Sequence, residues 1–382
     1  MKPGWQVRPL GEVCDILDSR RKPITKRDRV PGPYPYYGAT GVLDHVAGYI
    51  FDEPLVLIGE DGAKWGAGDK SAFPISGRTW VNNHAHVIRP SRDVLDDDWL
   101  IHFLNFSDLS EFVSGLTVPK LNQGRLREIP IPLPPLDEQR RIVAVLDDAF
   151  EGLSRARANT EANLADAREL LDAETDRLIL TGNSHWKTCV LEDVISRFEY
   201  GTSTKSEGSG SVPVLRMGNI QHGEIDWSDL VYTNESSEID RLSLRDGDVL
   251  FNRTNSLEHV GKSAVVRGSR KAIFAGYLVR LHCKPEVLDP EYLNLFLNCR
   301  PTREHGRSVS GKSVNQANIS AGKLKTYPIR VPPLEEQREI ASRILVFRQA
   351  FGAVTEAQNR KRKDLDTLRQ SLLQKAFAGE LT

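Results

Sequence analysis

The chain has 382 residues, of which 39% are hydrophobic and 27% charged, enough for two or three ordinary globular domains. Its 51 Lys and Arg against 52 Asp and Glu give a net charge of −1, which excludes a uniformly basic nucleic-acid binder, so any DNA contact must come from local patches or be supported by a partner. No apolar run approaches membrane-spanning length, and the opening MKPGWQVRPLGEV lacks a signal-peptide core. The four cysteines, Cys14, Cys189, Cys283 and Cys299, form no CxxC pair and read as buried thiols of a reducing compartment, so a cytoplasmic location with no membrane contact is expected.

Residues 1–132 read as a first globule. After GWQVRPLGEV comes the basic run SRRKPITKRDR, with Arg20, Arg21, Lys22, Lys26, Arg27 and Arg29 against Asp28. Turn-rich YPYYGATGVL, the strand EPLVLIG, the Gly-rich loop GEDGAKWGAG and TWVNNHAHVIRP follow. Short β-prone runs punctuated by Gly and Pro indicate a β-rich sheet, and DDDWLIHFLNF then reads as a helix.

Residues 133–181 read as a long helix released by Pro134-Pro135. Proline disfavours α geometry in the residue before it, and Asp137 and Glu138 in the first turn suit the helix dipole. Val143, Leu146, Phe150, Leu153, Arg157, Thr160, Leu164, Ala167, Leu171, Glu174 and Leu178 recur at spacings of three and four, an a/d seam of about five heptads.

Residues 182–330 read as a second globule. HWKTCVLEDV repeats the first opening, Trp186, Leu191 and Val194 standing at the spacings of Trp5, Leu10 and Val13. A SEGSGS tract, VPVLRMGNI, LRDGDVLFNRTNS, VGKSAVVRG, the strand AIFAGYLVRLHC and the helix DPEYLNLFLNC follow. Residues 331–382 repeat the long helix: YPIRVPPLEEQREIASRI matches IPIPLPPLDEQRRIVAVL, and the seam reads Ile344, Phe347, Phe351, Val354, Gln358, Lys361, Leu365, Leu368, Leu372 and Lys375. Both seams turn polar at mid-helix, at Arg157/Thr160 and Gln358/Lys361, and an antiparallel pair would bring these layers together. Helix packing is expected at Leu146, Phe150, Leu153, Leu164, Leu171, Phe351, Val354, Leu365, Leu368 and Leu372. The fold expected is α+β: two similar mixed globules separated by two long antiparallel coiled-coil helices, pseudo-two-fold symmetric.

Candidate sites are polar clusters at turns. Arg253, Thr254, Asn255 and Ser256 follow a Gly-Asp turn and apolar Val249-Leu250-Phe251, which places them at a strand end; Arg can read guanine and Asn adenine in the major groove. The same composition also suits an ordinary hydrogen-bonded turn. Asn82 and Asn83 carry the same argument in the first globule, and the basic run supplies Arg20, Arg21 and Lys22, unless it is only a solvated loop. His84 and His86 lie two apart, so a strand would point them to one face; two ligands are not a metal site, and a structural or DNA-contacting role is expected. Lys64, Lys120, Arg216, Asn219, Lys262, Lys312, Ser313 and Asn315 complete the DNA-binding candidates.

GRSVSGKS, Gly306 to Ser313, formally matches the P-loop pattern GxxxxGKS/T, but a helix precedes it and VNQANISAGKLK after it has no helical pattern. A basic loop meeting DNA phosphate is the expected use of Lys312 and Ser313, with a P-loop nucleotide-binding protein and a structural coiled-coil scaffold as the alternatives. There is no Asp/Asn-Pro-Pro-aromatic motif of the amino-methyltransferases, no Gly-rich cofactor fingerprint and no Ser/His/Asp or Cys/His constellation, so no chemistry, metal or cofactor is expected in this chain.

The two PPL-D/E-EQR helices, the repeated openings, GDVLFNRTNSLEHVGKSAV, VPVLRMGNIQHGEID, YPYYGATGVL and LLQKAFAGELT, in this order, resemble the DNA-specificity subunit of type I restriction-modification systems over essentially the whole chain. The resemblance implies two target-recognition domains, each reading one half of a split double-stranded DNA target. It implies that the helices fix the spacer and dock two methyltransferase subunits, which use S-adenosylmethionine. Restriction/translocase subunits that depend on ATP and Mg are the further partners implied, and the subunit itself is non-catalytic. The departures are small: Arg330 stands for the second proline of PIP, and the second copy has three more residues between PPL and its seam.

Overall fold

The computed structural model describes residues 2–115, 117–181, 185–313 and 316–381. The chain divides into two compact units, Met1–Glu161 with Asn359–Thr382, and Ala162–Gln358. Each unit holds one globule and one stretch of each of two 45-residue helices, Leu136–Leu180 and Leu334–Ala378. Both helices start after a Pro-Pro pair and carry two acids in their first turn, where the dipole favours negative charge. No helix among the described residues is long and apolar enough to cross a membrane.

In the first unit an antiparallel sheet runs in the order Cys14–Ile16, Ala85–Pro90, Leu55–Gly59, Ala72–Ile75. Leu55–Gly59 is buried along its whole length, because both faces are covered. Alternation sends Val56 and Ile58 into a core with Trp99, Leu100 and Leu104 of the helix Asp97–Phe106, and Leu55 and Leu57 into a second core with Phe51, Ile75, Val81 and Val87. A second sheet, Gly41–Val46, Pro31–Gly38, Arg78–Val81, Phe51–Asp52, lies beyond. Gln6–Pro9 pairs antiparallel with Pro130–Leu133 and ties the opening of the globule to the start of the first long helix.

The second unit repeats this frame. Ile195–Tyr200, Leu278–Cys283, Val249–Asn252 and Ser263–Val265 form the sheet in the same order, and Lys187–Val190 pairs with Pro328–Val331. Val249 and Phe251 face a core with Tyr292 and Leu293 of the helix Pro290–Asn298, and Leu250 faces the other core. AIFAGYLVRLHC, read as one strand, is two. Ile273–Phe274 pairs parallel with Val212–Leu215, Leu278–Cys283 joins the main sheet, and the Leu278 amide bonds back to the Ala275 carbonyl.

The repeated glutamine of the PPL-x-EQ motif explains why the helices attach where they do. Gln139 is 0% exposed. Its Oε1 accepts from the Asp96 amide at 2.9 Å, and its Nε2 donates to the Val94 and Pro134 carbonyls at 2.8 and 2.9 Å. Gln337 makes the same three bonds, to the Asp289 amide and the Val287 and Pro332 carbonyls, all at 2.8 Å. Asp96 and Asp289 in turn cap the helix that packs on each main sheet. One side chain therefore joins long helix, capped helix and proline strand in each unit.

The helices pack antiparallel within each unit. In the first, Leu146 shares a core with Leu373, Ala376 and Phe377, the Arg369 guanidinium lies 4.3 Å from the Phe150 ring centre, and Arg157 pairs with Asp366 at 3.1 Å. In the second, Ile179 shares a core with Ile340 and Ile344. On the first helix Leu146 and Thr160 are buried and Phe150, Leu153, Leu164 and Leu171 half-buried, while Arg157 faces solvent. The second helix departs from the expected seam. Ile344 is buried and Phe351, Gln358, Leu365 and Leu372 half-buried, but Arg348, Thr355, Arg362 and Ala376 lie inward between them. Phe347, Val354 and Leu368 are 41%, 40% and 48% exposed, and Lys361 and Lys375 also face outward. At 3.6 residues per turn a step of four residues misses the seam line by about 40° and a step of three by about 60°, so the four-residue position sits deeper.

The four cysteines are free, two buried and two half-buried, and burial pushes the Cys14 and Cys283 thiols up to about 12.

Candidate nucleic-acid interface

In the second unit the site grows from the end of the central strand Val249–Asn252. The Arg253 guanidinium lies 4.9 Å from the Tyr200 ring centre and donates to Asn318 Oδ1 at 3.1 Å and to the Gly276 carbonyl at 3.5 Å. Asn318 Nδ2 donates to Thr254 Oγ1 at 2.9 Å, so one amide fixes both neighbours. Tyr277, whose carbonyl accepts from the Arg253 amide, is 50% exposed, and Tyr200 is exposed as well. The half-buried Arg253 is thus held against an aromatic face beside exposed Tyr277. Thr254 is buried and supports it. Asn255 is half-buried and accepts from the Ser256 amide, and Ser256 opens an exposed turn.

Four sequence candidates, Arg216, Asn219, Asn255 and Lys262, line one open concavity of about 360 Å³, together with Gln221 and His259. They do not share one role. Asn219 is 2% exposed, and its amide accepts from the Arg216 N–H and donates to the Asp226 and Asp229 carbonyls, so it shapes the loop and does not face a ligand. Arg216 pairs with Asp229 at 2.9 Å on the rim.

The first unit has a charge network at the corresponding place. Arg21, expected on the surface, turns inward and bonds Glu60 and the Ala85 carbonyl. Lys120 pairs with Glu60 at 2.8 Å. His86 is fully buried, with Nδ1 2.6 Å from Asp18 Oδ2 and Nε2 2.6 Å from the Leu121 carbonyl. Burial pushes the Asp18 and Glu60 carboxyls up, but hydrogen bonds and charges from His86, Lys120 and Arg21 outweigh it and hold both below their usual values. The ligand atoms of Asp18, Glu60 and His86 lie within 4.8 Å of one another, close enough for a cation. Arg21 and Lys120 already neutralise the carboxylates, and both ring nitrogens of His86 are engaged, so the cluster reads as a charge-compensated knot of the fold.

His84 and His86 do not share a face. His84 lies in the turn before the strand, exposed, its amide bonded to Asn82 Oδ1 and its ring to Asp61. Asn82 is buried and holds that turn. Asn83, Lys22 and Lys64 are exposed, and neither lysine has an ion pair among the described residues. Arg20 lies over Phe51, donates to the Ile50 carbonyl and approaches Glu53 at 3.5 Å. Of the candidates in this unit, Arg20, Lys22, Lys64, Asn83 and His84 are exposed, whereas Arg21, Asn82 and Lys120 are engaged by the fold.

GRSVSGKS does not form a phosphate cradle. Gly306 lies inside the helix Arg300–Val309, and Gly311–Ser313 is a strand paired with Gln316–Asn318. A loop opening a helix is absent there, so backbone amides are not gathered on a phosphate. Lys312 and Ser313 are placed by their backbone only, and Asn315 lies outside the described residues.

Reading the sequence alone missed Gln221, His259, Tyr200 and Asn318. The last was reachable: aligned on the PPL motif, Asn318 occupies the place of Lys120.

The model of the type I restriction modification DNA specificity domain matches residues 2–162 and 183–361. The chain belongs to this family. It is 26% identical over 358 residues to a putative type I restriction enzyme specificity subunit of Haemophilus influenzae, covering 91% of this chain and 89% of that protein. It is 27% identical over 353 residues to the EcoKI specificity subunit of Escherichia coli, covering 87% and 76%. Among solved structures, a chain of a type I restriction-modification system superposes with a TM-score of 0.76 over 100% of this chain and 99% of that one, at 21% identity. The HsdS subunit of Thermoanaerobacter tengcongensis gives 0.58 over 100% and 98%, at 20% identity. These likenesses are to the fold; the family match carries the function, which is DNA sequence recognition by a specificity subunit.

Proposed function

We propose that each unit reads one half of a split duplex target. The observation that carries this is the same sheet order, capped helix and glutamine junction in both units, with different side chains at the end of the central strand. A repeated frame with divergent tips suits two readers of two different short sequences. In the second unit Arg253 and Asn255 are the base readers; in the first the readers are Asn83 and His84, with Lys22 and Lys64 as backbone contacts. Methyl transfer from S-adenosylmethionine and ATP- and Mg-dependent restriction belong to partner subunits, two of them methyltransferases, and this chain is non-catalytic. Outward-facing Leu345, Val346, Phe347 and Val354 give the second helix an apolar face for such subunits.

The test is methylome sequencing of cells that carry the chain with its modification subunits. One split motif is expected, with Arg253→Ala relaxing one half and Asn83→Ala the other. A variant that relaxes both halves together would overturn the assignment of one half to each unit.

A further inference from the structure

The turn after Arg253 ends in a lysine that has no ion pair among the described residues. Lys262 Nζ makes one hydrogen bond, to Gln221 Oε1 at 3.4 Å. Its backbone is fixed: the Asn252 amide donates to the Lys262 carbonyl at 2.8 Å, and the Gly261 amide to the Asn252 carbonyl at 2.8 Å. Gly261 has φ +84°, a conformation that favours glycine, so the turn presents Lys262 in one direction.

Further basic side chains lie near it. The Arg303 guanidinium donates to the Glu258 carbonyl at 2.7 Å, while its Nε is buried and unpartnered; it has no ion pair among the described residues. His259 Nδ1 and Arg307 Nε are likewise buried and unpartnered. Burial, then Arg303, then Arg168 on the first long helix push the Lys262 ammonium down; Glu258 is the carboxylate that opposes them. Burial and Arg307 push Arg303 down to about 10. Holding several cations together at a half-buried place is unfavourable unless an anion completes it. Lys262 and His259 border the open concavity of about 360 Å³, large enough for a phosphate and its flanking sugars.

We propose that the concavity before Lys262 and His259 binds a phosphate group, a backbone phosphodiester of the duplex read by the second unit, with Arg303 and Arg168 supplying the field behind it. This rests on the reading of the chain as a DNA-binding subunit. An ammonium on a flexible stem is a point charge suited to phosphate, whereas the planar, braced groups at Arg253 and Asn255 suit base edges. The site is not a nucleotide-hydrolysing loop, because the neighbouring Ser263 hydroxyl is buried and bonded to Asn294 Oδ1 at 2.8 Å.

The test uses the full chain assembled with its modification subunits and a duplex carrying the methylated motif, with affinity measured against salt. Lys262→Ala removes one phosphate contact, so the slope of log K against log salt should fall by about 0.9, and a fourfold rise in salt should cost the variant about 3.5-fold less affinity than the unaltered assembly. The methylation motif stays the same, and Lys262→Arg restores the slope. An unchanged slope in a variant that melts like the parent overturns the proposal. A changed motif overturns it too, because Lys262 would then be a base reader. Inorganic phosphate or ATP, added at constant ionic strength, should not displace DNA. Displacement from the parent but not from Lys262→Ala would assign the site to free phosphate and overturn the phosphodiester. If the unaltered assembly showed no sequence preference at all, the reading of the chain would fail, independently of the site.

Discussion

The two units end their central strands at equivalent points with opposite charge. In the first, Glu60 follows the strand and its carbonyl accepts from the Leu121 amide at 2.8 Å. In the second, Arg253 follows the strand and its carbonyl accepts from the Ile319 amide, also at 2.8 Å. The backbone is the same and the side chain reversed. Glu60 is neutralised from within, by Arg21 and Lys120, whereas Arg253 rests on neutral groups, Tyr200 and Asn318, and has no ion pair among the described residues. Away from this point the frame is constant: Trp99 Nε1 donates to the Pro132 carbonyl at 2.9 Å, and Tyr292 Oη to the Arg330 carbonyl at 2.8 Å. On the proposed function, fold and specificity fall to different residues, and substitutions should separate them.

The largest effect is expected where the frame is shared. Gln139→Leu leaves the Asp96 amide and two carbonyls without their partner, and Gln337→Leu does the same to the Asp289 amide. Each should destabilise the chain by about 2–4 kcal/mol, since each orphaned buried group costs roughly 1–3 and some relax to solvent. Denaturant unfolding should give similar values for both; a large value for one alone would show that the junctions are not equivalent.

Next comes the reversed position. Glu60→Gln leaves Arg21 and Lys120 without their carboxylate and should destabilise the first unit by roughly 2–3 kcal/mol. Arg253→Ala removes the contacts to Tyr200 and Asn318 and should cost about 1 kcal/mol of stability, less than Glu60→Gln, and about 1–3 kcal/mol of recognition at one half-site, read by competition with single-base variants. Equal losses on every sequence would make Arg253 a phosphate contact. The acid limb gives a related check. Asp18 and Glu60 have folded values below their ordinary ones, so their contribution is present above about pH 4 and lost as pH falls through the folded values. Asp18→Asn should therefore flatten the decline in stability below about pH 4; an unchanged decline would place the acid-sensitive groups elsewhere.

Much of the frame was legible in the sequence because it is duplicated: the repeated openings, the PPL-x-EQ junctions, the long helices and the apolar central strands. The reading residues were less so. Arg21 and Lys22 are adjacent in one basic run, yet one is half-buried against Glu60 and the other is exposed, and only a partner remote in the chain distinguishes them. Asn219 and Asn255 look alike in sequence and both line the concavity, but the first is 2% exposed with its amide spent on three backbone groups, whereas the second is half-buried and accepts from the Ser256 amide. Apolar composition also hid the Ala275–Tyr277 break, because two short strands of different sheets read as one continuous run.

The second helix gives the finest comparison, between a seam position present in both copies and one that only periodicity suggested. Phe150 and Phe351 follow the PPL motifs at like places, and both are half-buried. Phe150 lies under the Arg369 guanidinium and 5.6 Å from the His102 ring centre, so Phe150→Ala removes a packed ring and should cost about 2–3 kcal/mol, below the full core value because the ring is not wholly buried. Val354 satisfies the same period but is 40% exposed, whereas Thr355 beside it is half-buried and donates to the Phe351 carbonyl at 2.9 Å. Val354→Ala should then shift stability of the isolated chain by less than about 0.5 kcal/mol, the range of ordinary surface changes. In the assembled complex the same substitution should weaken association with the modification subunits, if the outward apolar face is where they dock. Thermal melting of the chain alone, with titration of those subunits, decides between the two roles: a loss of stability without a loss of assembly would return Val354 to the seam.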